Sequence, residues 1–101
     1  MTIGEKNQQD LAEFLGPDYS VRVVDIASCV FRRLNDRFDI EIVGTTRRNG
    51  PFSVYVWDVP HVEHEAARLL DVHQDIPGQA ALKELLDGLV RKYGTGNAVN
   101  T

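Results

Sequence analysis

The chain has 101 residues, enough for one hydrophobic core and too few for a second. Hydrophobic residues make up 43% and charged residues 26%, a globular balance rather than a disordered or fibrous one. With 11 basic against 15 acidic residues the net charge is −4, which disfavours broad electrostatic attachment to nucleic acid or an anionic membrane.

One cysteine, Cys29, excludes an internal disulfide and a cysteine-based zinc site. No apolar run approaches the roughly 18 residues of a membrane helix, so no membrane partner is expected. The opening MTIGEKNQQD has neither the basic nor the apolar region of a secretory signal, which makes the cytoplasm the expected location. No repeat or linker divides the chain. The expectation is a single domain over 1–94 and a small, polar, disordered tail over 95–101.

Thr2 and Glu5 have capping-box spacing, and Leu11, Phe14 and Leu15 share a helical face. Gly16 and Pro17 then stop the helix, predicting one over about 5–15. Next, Tyr19, Val23, Ile26, Ala27, Val30, Phe31 and Leu34 form a broad stripe at helical spacing, favouring a helix over about 18–35. A competing reading exists: YSVRVV is rich in β-branched residues and alternates briefly, as a strand does, and Asp25 would then cap a shorter helix.

The hairpin signal is clearer. Phe38, Ile40 and Ile42 alternate with Asp39, Glu41 and Val43, while Phe52, Val54 and Val56 alternate with Ser53, Tyr55 and Trp57. Asn49-Gly50 lies between them as a turn signal, so a hairpin is expected over about 37–58. Asp58 as N-cap and Pro60 in the first turn predict a helix over about 59–72 with Val62, Ala66, Leu69 and Leu70 on its packing face. Leu82, Leu85, Leu86, Leu89, Val90 and Tyr93 predict a last helix over about 78–93. The expected fold is therefore α+β: a two-stranded antiparallel hairpin packed by four amphipathic helices.

The stretch WDVPHVEHEAARLLDVH contains all three histidines. On a helix His61, His64 and Glu65 share one side, at the i, i+3 and i, i+4 spacing of metal ligands, while His73 falls on the opposite side. The H-E-x-x-H order is absent, and the H-x-E fragment lacks the later cysteine pair of zinc deaminases. These three residues are weak metal candidates, and the favoured reading is a solvated helix face. No cofactor is expected. Cys29 reads as a packing residue, and Asp39 with Glu41 as the wet side of a strand, so no catalytic residue is assigned.

Two surfaces remain as candidates. Val43, Tyr55 and Trp57 lie on the hairpin face not assigned to the core, with Arg47 and Arg48 at its tip. Tyrosine and tryptophan are interface anchors. The favoured function is a small non-catalytic interaction module or regulator whose partner is another protein or, through edge-to-edge hairpins, a second copy in a homodimer. The second reading is a nucleic-acid-binding regulator using Arg32, Arg33, Arg37, Arg47 and Arg48. Metal-dependent activity at His61 and His64 stands third.

Overall fold

The computed structural model describes residues 2–24, 27–60 and 66–94. Within them the order is α1 (Ile3–Leu15), β1 (Ser20–Val24), β2 (Ala27–Arg33), β3 (Phe38–Val43), β4 (Phe52–Asp58), β5 (Arg68–Ile76) and α2 (Gly78–Leu89), followed by a π-helical turn, Val90–Gly94. The strands form one antiparallel sheet in chain order, β1-β2-β3-β4-β5. This replaces the expected hairpin-and-four-helix arrangement with a five-stranded sheet and two α-helices.

Two of the four expected helices are strands. The segment expected as a helix over 18–35 is the β1–β2 hairpin, paired from Ser20↔Phe31 to Val24↔Ala27. Its apolar residues happen to fit helical spacing, yet Val21 pairs with Val30 on one face while Arg22 pairs with Cys29 on the other. The helix expected over 59–72 is also overturned where the chain is described: Arg68–Ile76 is strand β5, hydrogen-bonded to β4. Residues 61–65 and 95–101 lie outside the described residues, and with them the Val62 packing position and the expected disordered tail.

The segment 38–58 does pair with itself, from Phe38↔Asp58 to Val43↔Ser53, but as the two inner strands β3 and β4 of a wider sheet. The loop between them, 44–51, needs two glycines in the left-handed region, Gly44 at φ 80° and Gly50 at φ 77°. A Cβ on Gly44 would stand 2.5 Å from the Pro51 carbonyl oxygen, so any other residue there is strained as well as crowded.

One face of the sheet carries the core. Val30, Ile40, Ile42, Phe52, Val54 and Val56 are completely buried, and they pack with Leu11, Leu15, Leu82, Leu86 and Leu89 from the helices. The alternation of each strand puts this set on a single face. α1 starts at the Thr2–Glu5 capping box, with Glu5 N–H donating to Thr2 Oγ1 at 3.1 Å and Thr2 N–H to Glu5 Oε1 at 2.7 Å. It is fixed to the sheet by a buried polar chain: Gln8 Nε2 donates to Thr45 Oγ1 at 2.9 Å, and Ser28 Oγ donates to Gln8 Oε1 at 3.1 Å. α2 is docked against the β3–β4 loop by Gly78 N–H to the Asn49 carbonyl and by Gln79 Nε2 to the Arg48 carbonyl. No helix among the described residues is long and apolar enough to cross a membrane.

Candidate interaction surface

Directly opposed residues of an antiparallel pair share a face, so the register defines what lies opposite the core. One row across the sheet runs Ser20, Phe31, Glu41, Tyr55, Val72. The next runs Arg33, Asp39, Trp57, Leu69. None of these residues belongs to the core cluster between sheet and helices.

The two halves of this outer face differ. On β1 to β3 it is mixed: Phe31, Cys29 and Val43 lie among polar side chains that are paired with one another or stacked on them. Arg22 stacks over Phe31 at 4.3 Å, and Arg33 Nε donates to Asp39 Oδ1 at 3.0 Å. On β4 and β5 it is apolar. Tyr55 and Trp57 are half-buried, and Leu69, Leu70 and Val72 are 46%, 40% and 40% exposed. The border is a hydrogen bond from Trp57 Nε1 to Glu41 Oε1 at 3.1 Å.

A bulge builds this apolar half. The register shifts between Val56↔Asp71 and Trp57↔Leu69. The shift leaves Leu70 as an extra residue, so that Leu69 and Leu70 together oppose Trp57. Sequence reasoning found Tyr55 and Trp57 but missed Leu69, Leu70 and Val72, which had been read as helical. A strand reading of Arg68–Ile76 would have exposed them only if the bulge had been placed too.

No protein-family model matches this chain, and neither a curated protein nor a solved structure matches it. The site is therefore read from geometry alone.

The structure spreads the other contact candidates along the strands. Val43 lies half-buried on the same outer face, opposite Ser53 at the loop end. Arg47 and Arg48 are exposed in the β3–β4 loop, whereas Trp57 stands near the other end of β4. Four strand steps from Ser53 to Trp57 amount to about 13 Å, so the two arginines do not rim the Tyr55–Trp57 region.

The arginine cluster is a cluster in sequence only. Arg33 and Arg37 flank the β2–β3 turn, and Arg47 and Arg48 sit at the opposite end of β3. Arg33 is paired with Asp39 at 3.0 Å and Arg37 with Asp58 at 2.9 Å. Arg32 points to the helix side, 3.6 Å from Asp18 and over the Tyr19 ring at 5.1 Å. Three of the five charges are thus compensated by carboxylates, and no single stripe follows a nucleic-acid backbone.

Asp58 caps no helix. Its carboxylate is buried at the end of β4, where Arg37 Nε and an Arg37 terminal nitrogen donate to it at 2.9 and 3.0 Å. Arg68 reaches the same carboxylate at 3.4 Å. The hydrogen bonds from Arg37 hold the Asp58 carboxyl below its ordinary value, and Arg68 adds to this against the opposing effect of burial.

The metal candidates His61, His64 and Glu65 lie outside the described residues. Among the described residues no group of three or more His, Cys, Asp or Glu side chains could hold a metal ion. His73 is on β5, opposite Val54 on the helix side, with Nε2 3.2 Å from Asp71 Oδ1. Asp39 and Glu41 are engaged by Arg33 and Trp57. Cys29 is buried, and desolvation, reinforced by the Glu41 charge, pushes its thiol up to about 11, so it stays protonated at neutral pH.

Proposed function

We propose that this protein is a small non-catalytic interaction module that binds a partner protein through the β4–β5 half of the outer sheet face. The observation that carries this reading is the continuity of Tyr55, Trp57, Leu69, Leu70 and Val72 in two adjacent rows, with the three aliphatic side chains exposed. Single exposed hydrophobics are ordinary, but a contiguous group is a contact site. Tyrosine and tryptophan supply rigid area at its centre, the composition of interface hot spots. Trp57 is already oriented by Glu41, so its ring loses little freedom on binding. The chemistry fits a partner that presents an aliphatic or aromatic stripe, and the internally paired Arg33 and Asp39 form its polar margin.

The test compares the full chain with Leu70→Asp and with the double change Arg47→Glu, Arg48→Glu. A partner recovered from the native host on the wild-type chain is purified and titrated against all three. Leu70→Asp should weaken binding by about tenfold or more, the loss of one hot-spot contact, and the arginine change should alter affinity by less. Equal affinity for wild type and Leu70→Asp overturns the reading. Salt-sensitive oligonucleotide binding that disappears with the arginine change would transfer the function to nucleic acid.

A further inference from the structure

Among the described residues the sheet has two edges, β1 and β5. The expected edge-to-edge pairing of hairpins cannot occur, because β3 and β4 each have a strand on both sides. An unpaired edge presents a row of backbone donors and acceptors to any second strand. What distinguishes the two edges is their charge pattern.

β1 has five residues with Arg22 at its centre. Antiparallel pairing of two copies about that centre would oppose Arg22 to Arg22, a like-charge contact that disfavours association. β5 has nine residues and is irregular near both ends, at the Leu70 bulge and around Asp75, which takes φ 59°. Between these irregularities, Asp71, Val72 and His73 pair regularly with Val56, Tyr55 and Val54. That central run is self-complementary. Antiparallel pairing about Val72 sets Val72 against Val72, each Asp71 against His73 of the second copy, and Leu70 against Gln74.

We propose that the chain forms a symmetric dimer by antiparallel pairing of β5 with β5 of a second copy, centred on Val72. The contact satisfies the free edge of each sheet and joins two five-stranded sheets into one of ten. A two-fold axis at Val72 makes the interface isologous, so each favourable Asp71–His73 pair occurs twice. Within its own chain Asp71 also receives the Tyr93 hydroxyl at 3.2 Å and has His73 Nε2 at 3.2 Å and Lys92 Nζ at 3.8 Å, which fixes its carboxylate on the helix side of the strand, so His73 of the second copy joins a cluster that already exists. Because the bulges confine regular pairing to the middle of β5, the dimer is small and reversible, at the weak end of specific interfaces. This inference does not rest on the partner-docking reading: a strict monomer that still binds its partner through Leu70 would sink only the dimer.

Sedimentation of the full chain over a wide concentration range tests it. The expected result is a shift from monomer to dimer with rising concentration. Val72→Lys should raise the dissociation constant by about tenfold or more, because two ammonium groups then meet on the axis. His73→Asp should also weaken the dimer, and the exchange Asp71→His with His73→Asp should restore it. Val23→Lys on β1 should leave it intact. A monomer at every concentration, an unaffected Val72→Lys dimer, or loss of the dimer with Val23→Lys overturns the proposal. Should Val72→Lys fail to fold, Val72→Cys in a Cys29→Ser background decides. Directly opposed strand residues have Cα atoms about 4.5–5.5 Å apart, within disulfide range. Diamide should then link Val72→Cys chains rapidly and leave Val23→Cys chains, in the same background, unlinked; no faster linking at 72 than at 23 also overturns it.

Discussion

The two faces of the sheet are made by the same strands and even by neighbouring residues, yet they end in opposite conditions. Val54 and Val56 on β4 are completely buried beneath the helices, while Tyr55 and Trp57, one step away, are only half-covered. The inner face takes its order from close packing of its buried strand residues with those of the helices. The outer face takes its order from pairwise contacts: Arg22 on Phe31, Arg33 with Asp39, Trp57 with Glu41. Such pairs stop at β4, and the apolar residues of β5 are left outside them. Stability therefore belongs to one face, and the exposed apolar surface belongs to the far half of the other.

The sharpest way to break this division is to damage the inner face. Phe52 is completely buried and packs in the core, so Phe52→Ala should cost about 3–5 kcal/mol in denaturant unfolding. That is a large part of the stability of a domain this size. If the loss were within about 0.5 kcal/mol, the packing described for the inner face would be wrong. Gln8→Ala should come next, at about 1–3 kcal/mol. It leaves Thr45 Oγ1 and Ser28 Oγ without their partner beneath α1, and Gln8→Glu should not rescue the full loss, since it places a charged carboxylate at a buried position.

How much of this was legible in the sequence differs by segment for physical reasons. β3 and β4 alternate cleanly because one face meets the core and the other carries polar or aromatic residues, and the glycine-containing loop marks their junction. α1 and α2 were legible from a capping box and a leucine stripe. In β2 the period of two is hidden because Cys29 and Val30, on opposite faces, are both buried. It is hidden further by Arg32, which occupies an inward register position opposite Ile40 and finds Asp18 and Tyr19 there. β5 inverts the usual rule. Asp71 and His73 oppose core valines on the helix side, whereas Leu69 and Val72 face outward and the bulge adds Leu70 beside them. A pattern with two adjacent leucines and inward polar residues fits a helical wheel better than a strand, and hydrogen bonding to β4 overrides it. The candidate surface was legible only in its Tyr55–Trp57 half, because its other half depended on that misread strand.

A smaller effect should appear in acid. The folded-state Asp58 carboxyl titrates below its ordinary value because Arg37 and Arg68 hydrogen-bond to the charged form. The unfolded chain therefore binds the proton first as pH falls, and the stability from this group is present above the unfolded aspartate value of about 4 and lost as pH falls through the folded value. Asp58→Asn should flatten that limb of a stability-against-pH curve. The effect ranks below the core changes because Arg37 and Arg68 side chains are largely exposed to screening solvent. An unchanged acid limb would show that the Asp58 bridge joins the β2–β3 turn, β4 and β5 in geometry but not in free energy.

The smallest expected change in stability is the most informative about the outer face. Leu70 is the extra residue of a bulge and is 40% exposed, so Leu70→Asp removes little buried area and strains no ladder pair. Its unfolding free energy should stay within about 0.5 kcal/mol of wild type. A thermal melt with the Trp57 emission as probe tests this directly, because the ring lies against Leu69 and Leu70 in the register and reports any local rearrangement. Unchanged stability combined with lost binding would separate the two faces by function as well as by burial. A large destabilisation would mean that Leu70 is packed more tightly than its exposure indicates, and that the β4–β5 half of the outer face contributes to the fold in the way the inner face does.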